Sequence, residues 1–177
     1  MEIKRDFHLQ KLISSKHNGM IKVVTGIRRC GKSYLLMNLF RQHLTEHGIK
    51  DDHIITLDLE DRRSKRLRNP DALLEWIDSQ ITEWRKPGDV PVEQMFYVML
   101  DEVQLVPEFE DVLNSYLHIP NVDVYVTGSN SRFLSKDVIT EFRGRGWEIH
   151  VTPLSFSEFS LAHPELSYEA ALEMYMT

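Results

Sequence analysis

Residues 20–33 read Met20-Ile21-Lys22-Val23-Val24-Thr25-Gly26-Ile27-Arg28-Arg29-Cys30-Gly31-Lys32-Ser33, and this stretch decides the fold. Its first half is a short apolar run that predicts a buried strand ending at Thr25. Its second half fits the pattern Gly-x-x-x-x-Gly-Lys-[Ser/Thr], a phosphate-binding loop (P-loop) between a strand and a helix. A helix is predicted from Gly31 to about Gly48, a glycine that can end it. The motif therefore stands in the strand–loop–helix context that it requires.

The residue types in this loop suit a phosphate chain. Glycines allow a tight turn, and successive backbone N–H groups at a helix N-terminus attract anions. Lys32 is expected to reach the β- and γ-phosphates, and the Ser33 hydroxyl to ligate Mg²⁺. The residues predicted to bind the nucleotide are Gly26, Ile27, Arg28, Arg29, Cys30, Gly31, Lys32, Ser33 and Tyr34.

A second motif follows an apolar run at 96–100, which ends in Asp101-Glu102. In parallel α/β sheets the carboxyl ends of strands face the ligand-binding crevice. We therefore expect Asp101 to hold Mg²⁺ through water and Glu102 to orient and deprotonate an attacking water. Alone the pair would suggest an ordinary strand-end turn; the P-loop upstream favours the functional interpretation.

Outside these two motifs the sequence alternates between short apolar runs, typical of strands, and segments with the apolar spacing of helices. Strands separated by helices predict an α/β fold of three layers with a mainly parallel five-stranded sheet. The predicted strands are 20–25, 54–59, 96–100, 122–127 and 147–151, and the predicted helices are 6–16, 31–48, 70–86, 107–117 and 131–142. The 70–86 helix has Asn69 as its cap, Pro70 at its first position and Trp84 in its last turns. After Pro153 two further helices are expected, separated by a loop at His163-Pro164.

Composition narrows the functional classes. The 177 residues include 42% hydrophobic residues and carry a net charge of −6, which excludes a disordered chain and disfavours attraction of the whole surface to nucleic acid. One local run, Arg62-Arg-Ser-Lys-Arg-Leu-Arg68, could contact DNA or RNA phosphates, or be a solvated loop balanced by Glu60 and Asp61. No stretch is long enough to span a membrane, and a lone cysteine suits a reducing cytosol, so a cytoplasmic location is expected.

Five strings together resemble the AAA+ ATPases of bacteria and archaea, over roughly residues 1–160. They are the P-loop, Asp-Glu-Val-Gln at 101–104, Thr127-Gly-Ser-Asn-Ser131, Arg143-Gly-Arg145 and Pro153-Leu-Ser-Phe-Ser-Glu-Phe159. The resemblance implies ATP as the nucleotide, a sheet ordered 5-1-4-3-2, and a base pocket that includes the segment from Arg5 to His8. It also implies an ATPase core at 1–153, followed at 154–177 by the start of a helical lid or C-terminal region, cut from a longer chain.

The resemblance further assigns roles at the end of the fourth strand and before the fifth. Ser129 or Asn130 would be the sensor that contacts the γ-phosphate or the attacking water, a role compatible with capping the next helix. Arg143 or Arg145 would be an arginine finger, which often acts on a neighbouring subunit and so implies a homo-oligomer. The alternative for these arginines is a solvated or structural pair.

The leading hypothesis is therefore an ATPase domain that drives or gates an attached domain or partner. Two alternatives stay open: a nucleotide-gated binding switch with little turnover, and a small P-loop kinase acting on a metabolite. The acidic pair Asp101-Glu102 and the polar end of the fourth strand suit attack by water better than transfer to a metabolite. A GTPase is disfavoured because the chain has no Asn-Lys-x-Asp string to read guanine.

Overall fold

A computed structural model of the chain describes residues 3–81, 94–128, 142 and 144–176. Five strands form one sheet in the order β2-β3-β4-β1-β5, and every neighbouring pair is parallel. The strands are β1 (Ile21–Thr25), β2 (Ile54–Asp58), β3 (Phe96–Asp101), β4 (Val122–Thr127) and β5 (Gly146–His150). The predicted order is confirmed, and the parallel arrangement places the carboxyl ends of all five strands at one edge.

Helices cover both faces of this sheet. The helix after the P-loop, α2, consists of three consecutive segments, and its middle segment has the wider π-helical pattern. The helices are α1 (Asp6–Ser14), α2 (Lys32–Tyr34, Leu35–Phe40 and Arg41–Glu46), α3 (Pro70–Gln80), α4 (Phe109–Asn114), α5 (Phe156–Ala162) and α6 (Tyr168–Met176). Short 3₁₀ turns lie at Asp51–His53, Arg62–Arg68, Val103–Leu105 and Ser115–His118.

Two predicted helices differ from the observed ones. The α3 helix begins at Pro70 with Asn69 as its cap, as expected, but it ends at Gln80 instead of continuing to Trp84. Ile81 is extended, with ψ of 100°, and its side chain is buried in the core. Helical spacing alone therefore did not locate the end of this helix. The segment predicted as one helix at 107–117 is divided into α4 and a 3₁₀ turn. The helix predicted at 131–142 lies outside the described residues except for Phe142.

The core lies on the two faces of the sheet. Because helices cover both faces of the sheet, alternate residues of β3 enter two separate apolar clusters, as expected for a central parallel strand. Phe96, Val98 and Leu100 pack in the cluster that contains α3 and α4. Tyr97 and Met99 pack in the cluster that contains α1 and α2.

A buried ion pair joins β1 to β4 near the amino ends of the strands. Lys22 is fully buried, and its ammonium forms a salt bridge with Asp123 and donates to the carbonyl of Met20 at 2.9 Å. The other Asp123 oxygen accepts from the Tyr125 hydroxyl at 2.7 Å and from the backbone N–H of His17 at 3.1 Å. Burial lowers the pKa of Lys22, and the charge of Asp123 opposes that shift. The pair is therefore compensated on both sides.

Removing the charge of Asp123 is expected to destabilise the protein strongly. Asp123→Asn leaves the Lys22 ammonium buried without its counter-charge, which costs roughly 3–5 kcal/mol of unfolding free energy. Urea denaturation followed by circular dichroism measures the loss, with Asp52→Asn at an exposed position as the matched control. A loss of stability no larger than that of the control would contradict the buried ion pair between Lys22 and Asp123.

Candidate functional site

The P-loop leaves β1 through a backbone turn that only glycine can make. Gly26 has φ of +144°, and a Cβ built there would lie 2.3 Å from the carbonyl oxygen of Val151 and 2.8 Å from Cys30 Sγ. Gly31, at the start of α2, has φ of +94°. Both positions therefore require glycine because their backbone φ is positive. Gly26 is also required because the Val151 carbonyl leaves no space for a side chain.

Lys32 lies inside the curve of this loop. Its side chain is 4% exposed, and Nζ donates to the carbonyl oxygens of Gly26 at 3.1 Å and Ile27 at 3.0 Å. These carbonyls partly replace the water that a buried ammonium loses. A positive charge is therefore held at the centre of a glycine-rich turn, where an anionic ligand would meet it.

A hydroxyl–carboxylate cluster lies beside the loop. Ser33 Oγ donates to Asp101 Oδ1 at 3.0 Å, and the Thr127 hydroxyl donates to the same oxygen. Burial raises the pKa of Asp101, while the hydrogen bonds from Thr127 and Ser33 act in the opposite direction. The cluster combines oxygen donors from α2, β3 and β4, and such hard oxygen ligands suit Mg²⁺. Among the described residues no group of three or more His, Cys, Asp or Glu side chains is placed to hold a metal by itself.

Glu102 is held in an unusual conformation next to this cluster. Its backbone is left-handed, with φ of 55° and ψ of 46°, a strained state for a non-glycine residue. Its N–H donates to Thr127 Oγ1 at 3.0 Å, and the Gln104 side-chain amide donates to its carboxylate. Glu102 lines a cleft of about 480 Å³. The other residues lining this cleft are Arg28, Arg29, Gly31, Lys32, Ser33, Tyr34 and Glu60.

The structure therefore brings most of the predicted P-loop residues together with the predicted acidic pair. The predicted residues at the cleft are Arg28, Arg29, Gly31, Lys32, Ser33, Tyr34 and Glu102, and Asp101 is joined to them through Ser33. The sequence predicted no role for Thr127 or Gln104, although both belong to the strings that resemble those of AAA+ ATPases. Thr127 is at the carboxyl end of the strand beside β3, and that position was the available signal. Arg5, which donates to the carbonyl of Cys30 at 3.1 Å, was also assigned no contact with the loop.

The predicted sensor and arginine-finger residues are not at this cleft or are not described. Ser129, Asn130 and Arg143 lie outside the described residues. The Arg145 carbonyl accepts from the N–H of Ile21 at 2.9 Å, where β1 begins, and its guanidinium lies 3.4 Å from His118 Nε2. Arg145 is thus at the edge of the sheet opposite the P-loop, and its role as an arginine finger stays a prediction that requires a neighbouring subunit.

The fold and the site define the class of protein. A parallel sheet of order β2-β3-β4-β1-β5, with a glycine-rich loop between its β1 strand and a helix, is the three-layer P-loop fold of nucleotide-binding AAA+ domains. The chain belongs to the AAA_14 family, an AAA domain, which it matches over residues 18–160.

Two curated relatives extend well beyond this chain. An uncharacterized protein of Haemophilus influenzae is 34% identical over 157 residues, covering 89% of this chain and 37% of the relative. An uncharacterized protein of Methanocaldococcus jannaschii is 31% identical over 157 residues, covering 89% of this chain and 31% of the relative. The chain thus spans about a third of the length of these relatives.

Solved structures with low sequence identity share the fold. PCH-2 of C. elegans superposes with a TM-score of 0.60 at 15% identity, covering 90% of this chain and 46% of that one. A DNA polymerase III gamma-subunit-related protein of Thermotoga maritima gives 0.58 at 13% identity, covering 96% and 57%. The Aeropyrum pernix ORC1 protein, solved in complex with DNA, gives 0.57 at 13% identity, covering 98% and 50%. Within the described part of the chain no helix is long and apolar enough to cross a membrane.

Alanine at Gly26 is expected to destabilise the protein more than alanine at Gly48. Both glycines have positive φ, but nothing lies within 4 Å of a Cβ at Gly48, whereas a Cβ at Gly26 meets the Val151 carbonyl. Gly48→Ala should cost about 1–2 kcal/mol for its backbone conformation alone. Gly26→Ala should cost roughly a further 1–3 kcal/mol of strain, measured by urea denaturation. Equal losses in the two variants would contradict the close approach.

Proposed function

We propose that this domain binds ATP with Mg²⁺ and hydrolyses it, and that it thereby drives or gates an attached domain or partner. The observation that carries the proposal is the convergence of Lys32, the Ser33–Asp101 pair and Glu102 around one cleft. A cation, a metal-binding oxygen pair and a carboxylate are the three elements that phosphoryl transfer to water requires.

In this proposal the P-loop amides and Lys32 hold the phosphate chain. Ser33 and Asp101 would hold Mg²⁺, which when bound neutralises charge on the phosphate oxygens. The adenine of the nucleotide would enter a second cleft of about 680 Å³ between α1 and α5, whose lining includes Phe7, His8 and Thr152. This cleft is proposed because its lining includes residues of the segment 5–8, the segment predicted to form part of the base pocket.

Glu102 is proposed as the general base. Its carboxylate takes a proton from water as the water oxygen bonds to the γ-phosphorus; the bond from that phosphorus to the β–γ bridging oxygen breaks, giving ADP and inorganic phosphate. Gln104 and Thr127 position Glu102 through its carboxylate and its backbone N–H. Ser129 or Asn130 remains the proposed sensor.

An arginine finger would complete the charge stabilisation. Arg143 or Arg145 would supply it from a neighbouring copy, so an oligomer is part of the proposal. Residues 1–153 form the proposed ATPase core, and α5 and α6 belong to the helical region that follows it. The longer relatives are consistent with an attached domain on which such a core would act.

Glu102→Gln is expected to separate binding from turnover. Loss of the base should lower the rate of phosphate release by about 10²- to 10⁴-fold, while affinity for fluorescently labelled ATP is retained. Lys32→Ala should lose that affinity because the loop loses its cation. Glu75→Gln, an exposed carboxylate on α3, is the matched control.

Other outcomes would favour the alternatives. A wild-type protein that binds ATP but releases no phosphate, and is unchanged by Glu102→Gln, would be a nucleotide-gated switch. Transfer of the phosphoryl group to an added metabolite instead of water would indicate a kinase. A wild-type protein without affinity for ATP would contradict the proposal itself.

The segment Arg62–Arg68 supports a second proposal, that the partner is a nucleic acid. Four side chains of this 3₁₀ turn are exposed: Arg62, Arg63, Lys65 and Arg66. Among the described residues none of the four forms an ion pair with a carboxylate. Leu67 is buried, and Arg68 donates to the carbonyls of Leu59 at 2.8 Å and Glu60 at 3.1 Å, so the turn is fixed to the domain.

The neighbouring acidic side chains form contacts with groups other than these four cations' side chains. The carboxylates of Asp58 and Asp61 accept from backbone N–H groups, at 2.7 Å from Glu60 and at 2.8 Å from Arg63. Glu60 lies 3.6 Å from the Arg28 guanidinium. The exposed cations are thus available to a phosphate backbone, which makes contacts of this kind without reading sequence. The ORC1 protein of the same fold, solved with DNA, is consistent with such a partner.

Neutralising this segment is expected to weaken DNA binding and its dependence on salt. Arg62, Arg63 and Arg66 are replaced together by serine, and the control replaces the exposed Lys11, Arg41 and Lys50, so that both variants change the net charge equally. Fluorescence anisotropy with labelled duplex DNA over a salt series should show a shallower slope of log K against log[salt], by about 0.9 for each lost phosphate contact. Equal slopes in the two variants would show that this segment does not contact the DNA phosphates.

A further inference from the structure

One arginine connects three separate parts of the chain. Arg5 precedes α1, and its side chain is 4% exposed. Nη1 donates to the carbonyl of Cys30 in the P-loop at 3.1 Å, and Nη2 donates to the carbonyl of Thr152 after β5 at 2.6 Å. Nε lies 3.0 Å from Glu158 Oε1 on α5. The rigid, planar guanidinium thus donates hydrogen bonds to two carbonyls and forms an ion pair with Glu158 at the same time, which an ammonium cannot do in the same geometry.

The Glu158 carboxylate is itself fixed by the first turn of α5. Its Oε2 accepts from the backbone N–H and the hydroxyl of Ser155, both at 2.9 Å, and Ser155 Oγ accepts from the N–H of Glu158 at 3.2 Å. This reciprocal arrangement is a capping box. Burial would raise the pKa of Glu158, but the hydrogen bonds from Ser155 and the charge of Arg5 outweigh it and lower the pKa. The carboxylate is therefore ionised at neutral pH. Because it is hydrogen-bonded to Ser155, any movement of the carboxylate would also move the first turn of α5.

The P-loop is held by cations from two directions. Lys32 binds the carbonyls of Gly26 and Ile27, and Arg5 binds the carbonyl of Cys30. Arg5 also lies close behind Gly31, where a Cβ would be 3.5 Å from Nη1. A phosphate chain would compete with these carbonyls for Lys32, whereas the contact of Arg5 with the Cys30 carbonyl lies on buried groups and can persist when the loop is loaded.

We propose that Arg5 is a positioning residue that couples nucleotide binding at the P-loop to the stability of α5, through simultaneous contacts with Cys30 and Glu158. The inference rests on the proposed ATP binding. Such coupling is reciprocal: if bound nucleotide steadies α5, then release of α5 from Arg5 weakens nucleotide binding by the same factor. Coupling of this kind amounts to about 5- to 150-fold in affinity.

Glu158→Gln is the sharpest test of this coupling. Glutamine can still serve in a capping box, so the helix start is retained while the charge that pairs with Arg5 is removed. Glu169→Gln, in the first turn of α6 and exposed, is the matched control. Arg5→Lys keeps the positive charge but lacks the fork that reaches three acceptors, so it should resemble Glu158→Gln.

Two measurements are made on each protein. Affinity for labelled ATP in the presence of Mg²⁺ should fall about 5- to 150-fold in Glu158→Gln and stay unchanged in Glu169→Gln. Hydrogen exchange of the backbone amides of α5 should slow when ATP is added to the wild type, and this slowing should be lost in Glu158→Gln. A merely structural role would speed exchange equally with and without ATP.

The outcomes separate this inference from the proposed function. If Glu158→Gln binds ATP as tightly as the wild type, and ATP slows the hydrogen exchange of its α5 amides as in the wild type, the coupling is overturned. The proposed ATP binding is then unaffected. The same holds if ATP binds the wild type without any change in α5 exchange. A wild type that binds no ATP overturns the proposed function, and the coupling with it.

Discussion

The hydrogen bonds from Ser33 and Thr127 to one oxygen of Asp101 are the interaction on which the site depends. They join the start of α2 to the ends of β3 and β4, and so fix the P-loop helix against the two strands that carry the acidic residues. The same Thr127 hydroxyl accepts from the N–H of Glu102. Asp101, a proposed metal ligand, and Glu102, the proposed general base, are thus both positioned by a single threonine side chain.

Much of this architecture could be predicted from local patterns. The glycine–lysine motif predicted the loop, and an apolar run ending in Asp101-Glu102 predicted the acidic end of β3, because both signals lie within a few residues. The order of the strands came from the resemblance to AAA+ proteins, since pattern alone indicates parallel strands without their order. Arg5 and Glu158 could not be paired in advance, because 153 residues separate them and only the closed fold brings them together.

The two edges of the sheet have different tasks. At the carboxyl edge the buried polar groups form a cleft, and strain is retained at Glu102. At the amino edge Lys22 and Asp123 form a compensated pair that joins β1 to β4. The proposed chemistry and this buried ion pair are therefore separated by the length of the strands.

The cations that bind the P-loop carbonyls have a consequence for nucleotide recognition. Because Lys32 and Arg5 satisfy carbonyl groups of residues 26, 27 and 30, the loop is ordered by contacts within the chain. A ligand that enters a pre-organised loop loses little affinity to the conformational entropy of ordering it. Binding of a phosphate chain would then exchange the carbonyl contacts of Lys32 for phosphate contacts without requiring the loop to fold.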